Sequence, residues 1–143
     1  MNHFTHWLSL ALWLAGIGHF CILFASFQVP GRLGWKRDLA QLTPFNRKLM
    51  WVYAGTTLLT IIAFGTLTLI LHGEMLAGDR GAVALAAFIA VFWTARILVD
   101  FTYFDHADWP EGTPFVVGHI LLTTLFTALA STYWLVLFWS FAK

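Results

Sequence analysis

Four long apolar runs dominate this chain, over residues 7–27, 49–71, 82–104 and 115–141. The third holds Arg96 and Asp100, and the other three contain no Asp, Glu, Lys or Arg. A hydrocarbon core roughly 30 Å thick needs about 20 helical residues at 1.5 Å each, so every run is long enough to span. The runs are too long, and too poor in in–out alternation, for the strands of a membrane barrel. The pattern predicts an all-α bundle of four transmembrane helices forming a single domain over residues 1–143. The first run lacks a preceding basic stretch and a small-residue cleavage site, so it is expected as a retained helix rather than a signal peptide.

Composition narrows what such a bundle meets. The chain is 59% hydrophobic and 10% charged, against roughly 25% charge in an ordinary soluble domain. Its net charge of +1 offers nucleic acid no electrostatic footprint. The single cysteine, Cys21, excludes a disulfide framework and a cysteine-based zinc site. The expected partners are the lipid bilayer and either other membrane subunits or further copies of the chain.

The connections differ in charge. Residues 28–48 carry Arg32, Lys36, Arg37, Arg47 and Lys48, with Pro30 and Gly31 predicted to end the first helix. Trp35, Leu39 and Leu42 lie at helical spacing and predict a short amphipathic turn on the membrane surface. Thr43 and Pro44 suit the N-cap and first position of the second span. Residues 72–81 are mixed (His72, Glu74, Asp79, Arg80), and residues 105–114 are acidic (Asp105, Asp108, Glu111). Basic residues favour the cytoplasmic side. With five in the first loop, the rule predicts a bacterial inner-membrane protein with both termini outside the cytoplasm.

Ionisable residues inside a membrane are expensive, at about 2.5–3.5 kcal/mol for a central Arg or Asp on insertion scales, and so mark candidate sites. Arg96 and Asp100 are four apart, which puts them on one helical face, and Tyr103 continues that face. Counting from the ends of the runs places Arg96 and His19 about 12 Å deep, and Asp100, Tyr53 and His119 about 6 Å deep. Thr56, Thr57 and Thr60 follow Tyr53, and Thr123 and Thr127 follow His119. All four helices thus offer polar groups to the cytoplasmic half. The outer half is expected to hold nothing comparable, with His72 at a loop edge and His3 and His6 before the first span.

Several chemistries fit these residues. The first is a non-enzymatic accessory component whose polar site comprises His19, Tyr53, Arg96, Asp100, Tyr103 and His119. Ala82, Ala86 and Ala90, with Gly55 and Gly65, would serve close helix packing. The second is a redox subunit binding a quinone or haem b, with His19 and His119 as axial ligands. Asp105, His106, Asp108 and His119 offer metal donors, without HExxH or a His-rich box. Asp100, Tyr53 and His119 also offer acid–base groups for a lipid or isoprenoid enzyme. A proton-coupled carrier would need a buried charge like Asp100, but Arg96 competes for it and no proline breaks a helix at midspan.

Overall fold

The computed structural model describes residues 3–105 and 112–142. Four helices are long and apolar enough to cross a membrane: α1 (His3–Arg32), α3 (Pro44–Ile70), α5 (Arg80–Thr102) and α6 (Thr113–Phe141). Two short helices, α2 (Trp35–Asp38) and α4 (His72–Ala77), sit in the connections. Among the described residues there is no strand. The architecture is the expected all-α bundle of a multi-pass membrane protein.

The ends of the elements follow local chemistry. Thr43 Oγ1 accepts the Asn46 amide at 3.5 Å, and Pro44 opens α3. Asp79 caps α5 by accepting the amides of Gly81 and Ala82 at 3.0 and 3.3 Å. Gly78, at φ +83°, turns α4 into α5 in the left-handed region where a Cβ is penalised. The amphipathic turn appears as α2 followed by a 3-10 turn, Leu39–Gln41.

Pro30 does not end the first helix, contrary to the sequence expectation. α1 continues through it to Arg32. A proline removes its own N–H from the ladder and crowds the carbonyl four residues before it, but the residues after it can still bond, and Leu33 N–H reaches the Val29 carbonyl at 2.9 Å to close the last turn. The end of α1 is thus displaced toward the first loop by more than one turn.

α1 packs against α3 on one side and α6 on the other, and α5 runs along α6. Lipid tails are as apolar as leucine, so these contacts depend on close fit and interhelical hydrogen bonds. Gly16 and Gly65 supply the α1–α3 fit: a Cβ on Gly65 would stand 3.1 Å from the Gly16 carbonyl oxygen and 3.0 Å from His19 Cβ. Ala82, Ala86 and Ala90 are all buried on α5, as their spacing predicts. Gly55 makes no close approach, since a Cβ there meets open space. The reason is the course of α3, whose buried residues (Ile61, Phe64, Gly65, Thr68) all lie in its second half. Its first half has no fully buried residue.

Candidate functional site

Two polar clusters stand inside the bundle. The first is built by two i,i+4 pairs on antiparallel neighbours, Arg96 and Asp100 on α5 and His119 and Thr123 on α6. Spacing of four stacks each pair on one helical face, and the α5–α6 contact brings the faces together. Arg96 Nη1 donates to Asp100 Oδ1 at 3.4 Å, and Thr123 Oγ1 donates to Oδ2 at 3.2 Å. His119 Nε2 stands 3.2 Å from the same Oδ2 and 3.5 Å from Thr123 Oγ1.

Arg96 and Thr123 thus donate to one carboxylate, with the His119 ring beside it, and the side chain of Asp100 is only 7% exposed. Arg96 is different. Its side chain is 40% exposed, and its guanidinium carbon lies 5.4 Å from the Phe126 ring centre and 6.0 Å from that of Phe104. Such cation–π contact compensates part of the desolvation of a guanidinium. The acid is enclosed and the base is open to the side.

The second cluster is central. His19 is fully buried; its Nδ1–H donates to the Ala15 carbonyl at 2.7 Å, and its Nε2 accepts the indole Nε1–H of Trp93 at 3.0 Å. Only an imidazole carrying its proton on Nδ1 satisfies both bonds. Phe64 and Tyr133 approach the same ring, each at 6.0 Å between centres. Beside it, the hydroxyls of Thr68 and Tyr133 are 2.6 Å apart, both fully buried. Residues of α1, α3, α5 and α6 thus meet around one satisfied polar core.

The structure brings together only part of the predicted set. Arg96, Asp100 and His119 form the first cluster, with Thr123. His19 belongs to the second, and the two lie at different levels: Asp100 follows Trp93 by seven residues, about 10 Å along α5. Tyr133, near His19, follows His119 by fourteen residues, about 21 Å along α6. The depth estimate for His19 fails because α1 runs on to Arg32, which puts the imidazole near midspan. His19 and His119 cannot face one iron from opposite sides in this arrangement, and both nitrogens of His19 are already engaged.

Tyr53 and Tyr103 stand apart from both clusters. Tyr53 is 58% exposed on the first half of α3. Thr56, Thr57 and Thr60 share that segment and satisfy their hydroxyls on carbonyls of their own helix, each at 2.9 Å. Thr127 does the same at 2.8 Å. Tyr103 is 80% exposed as the C-cap of α5, at the end of the helix and beyond the packed part of the α5–α6 contact.

The end of the bundle near α4 also holds polar contacts that sequence reasoning missed. His72 Nε2 lies 3.1 Å from Ser9 Oγ, and its ring sits 5.1 Å from that of Trp13. The signal for Trp93 and Tyr133 was present: an aromatic residue with a polar tip, far from either end of a span, needs a hydrogen-bond partner. Of the proposed metal donors, His106 and Asp108 lie outside the described residues, as does Glu111. Among the described residues, no three His, Cys, Asp or Glu side chains gather in a group able to hold a metal ion. No family model, no curated protein and no solved structure matches the chain.

Proposed function

We propose that this protein is a non-enzymatic accessory component of a membrane complex that offers the Arg96–Asp100–His119 cluster to a second membrane-embedded chain. One observation carries the reading, the contrast between a 7% exposed Asp100 side chain and a 40% exposed Arg96 side chain in the same ion pair. A cluster serving only internal packing would enclose both partners, because an open guanidinium in hydrocarbon is penalised. A carbonyl or carboxylate from a neighbouring chain would complete the donor capacity that Asp100 leaves unused on Arg96. In this reading the protein lies in a bacterial inner membrane with its first and third loops cytoplasmic and both termini on the opposite side.

A second reading has its own support. Arg96 supplies donors beside the Phe104 and Phe126 rings, a combination suited to a quinone carbonyl with its ring against aromatic faces. Haem b has less support, since His19 is engaged on both nitrogens.

Purification in mild detergent, with native mass spectrometry and optical spectra of the same sample, tests the reading. The expected result is a colourless complex retaining a second polypeptide at fixed stoichiometry, lost in Arg96→Gln while helicity persists. Stoichiometric extractable quinone without a second chain supports the alternative. A Soret band, or an Arg96→Gln variant that keeps its partner undiminished, overturns the proposal.

A further inference from the structure

The connection between α1 and α3 is rich in basic residues and poor in acids. Residues 28–48 contain Arg32, Lys36, Arg37, Arg47 and Lys48 against a single acid, Asp38. Asp38 is already paired, accepting from Arg37 Nε at 3.1 Å. Arg47 and Lys48 stand near the positive end of α3, whose first turn contains no acidic residue. Cations at a helix N-terminus oppose the macrodipole, so an external anion would be favoured here.

The local geometry provides a place for one. A notch of about 490 Å³ is lined by Gly31, Arg32, Leu33, Gly34 and Arg37. Two of its lining residues are glycines without side chains: a Cβ on Gly31 would meet open space, and Gly34 holds a left-handed φ of +66° that favours glycine. Arg37 Nη2 stands 3.9 Å from where a Gly34 Cβ would lie, so its guanidinium lies beside that glycine. Backbone carbonyls would repel an anion, but those of Val29, Gly31 and Gly34 accept the amides of Leu33, Gly34 and Arg37 at 2.9, 3.4 and 2.9 Å. Arg47 Nη2 donates to the carbonyls of Ala40 and Leu42 at 3.4 and 3.3 Å and ties the 3-10 turn to α3.

Exposed aromatic residues lie in the same connection and at the adjoining ends of α1 and α3. Trp35 meets Trp51 edge-on at 5.9 Å between ring centres, and Phe27 and Phe45 are 63% and 73% exposed. Aromatic side chains beside basic ones at the end of a span are the arrangement that binds the boundary between acyl chains and head groups. A free anion would use the cations alone. A phospholipid uses both.

We propose that this notch binds the phosphate head group of an anionic glycerophospholipid, with the guanidiniums of Arg32 and Arg37 as its walls and Trp35, Trp51 and Phe45 against the adjoining acyl chains. Arginine suits the task because its planar fork pairs two donors with phosphate oxygens. The binding is salt-sensitive, because the cations are exposed and screened.

The full chain, in detergent and in phosphatidylcholine nanodiscs with or without phosphatidylglycerol, tests this by native mass spectrometry and lipid titration. Wild-type protein should retain phosphatidylglycerol over phosphatidylcholine. Arg32→Gln with Arg37→Gln should lower that preference by about 25-fold, roughly five-fold per basic residue near a membrane surface. Gly31→Leu, which fills the notch without changing charge, should lower it comparably, with helicity and melting in phosphatidylcholine unchanged. Equal retention of the two lipids overturns the proposal. So does undiminished preference in Gly31→Leu, which would assign the effect to diffuse charge. Inorganic phosphate protecting the protein as well as phosphatidylglycerol does would assign the notch to a free anion and overturn the head-group assignment.

Discussion

The indole nitrogen of Trp93 donates to Nε2 of His19 at 3.0 Å, joining α5 to α1 where both side chains are closed to lipid. Trp93 also stacks on Phe126 of α6, with ring centres 4.8 Å apart and planes inclined by 19°. One indole therefore links three spans, by a hydrogen bond on its edge and packing on its face.

Trp93→Phe keeps most of the aromatic surface and leaves His19 Nε2 without its donor. Interhelical hydrogen bonds in membranes contribute about 0.6 kcal/mol on average and up to about 1.7. A loss near the upper value is expected here, because the orphaned nitrogen is enclosed. Unfolding in mixed micelles of rising denaturing-detergent fraction measures it. Combination with His19→Leu should be less than additive, since that variant removes the same bond.

Gly65 and Gly55 lie on one helix and should respond in opposite ways. Gly65→Val drives a branched side chain into the Gly16 carbonyl, His19 and Phe20, and should destabilise the α1–α3 pair by about 1–3 kcal/mol. Gly55→Ala meets open space and should be neutral or stabilising by up to about 1 kcal/mol through helix propensity. Thermal melts of the two variants, run side by side, report the sign of each.

Asp100→Asn preserves size but removes the charge opposite Arg96. Breaking an enclosed pair costs about 3–5 kcal/mol, and the 40% exposure of Arg96 reduces this to about 1–2 kcal/mol here. Adding Arg96→Gln should recover part of the loss by removing the stranded cation. A double variant less stable than Asp100→Asn alone would show that Arg96 stabilises the fold independently of Asp100.

Orientation is testable through the lone cysteine. After Cys21→Ser, a membrane-impermeant maleimide should label Glu74→Cys in intact cells and Lys36→Cys only after permeabilisation. The reverse pattern would invert the topology and place the basic notch in the outer leaflet.

The number and placement of the spans were legible in the sequence because length and hydropathy alone decide what a bilayer accepts. The Arg96–Asp100 pair was legible for a local reason, as any two residues four apart on a helix share a face. The Thr43–Pro44 start of α3 was likewise written in adjacent residues. Pro30 was misread because proline weakens a helix without always ending it.

Which faces meet was decided by the tertiary structure. A soluble helix marks its inner face with an apolar stripe, but a span is apolar all round, and lipid is as hydrophobic as the core. Periodicity therefore could not tell that Asp100 faces Thr123 and His119 while Tyr53 faces outward, or that His19 meets Trp93 rather than His119. Glycine showed the same limit: Gly55 and Gly65 are identical residues on one helix, and only the approach of α1 at Gly65 makes one a contact and leaves the other in open space. The sequence by itself determined that the chain crosses a membrane and which local pairs its helices carry. The close fit of Gly16 on Gly65, and the hydrogen bonds open to buried polar groups, decided where those pairs point.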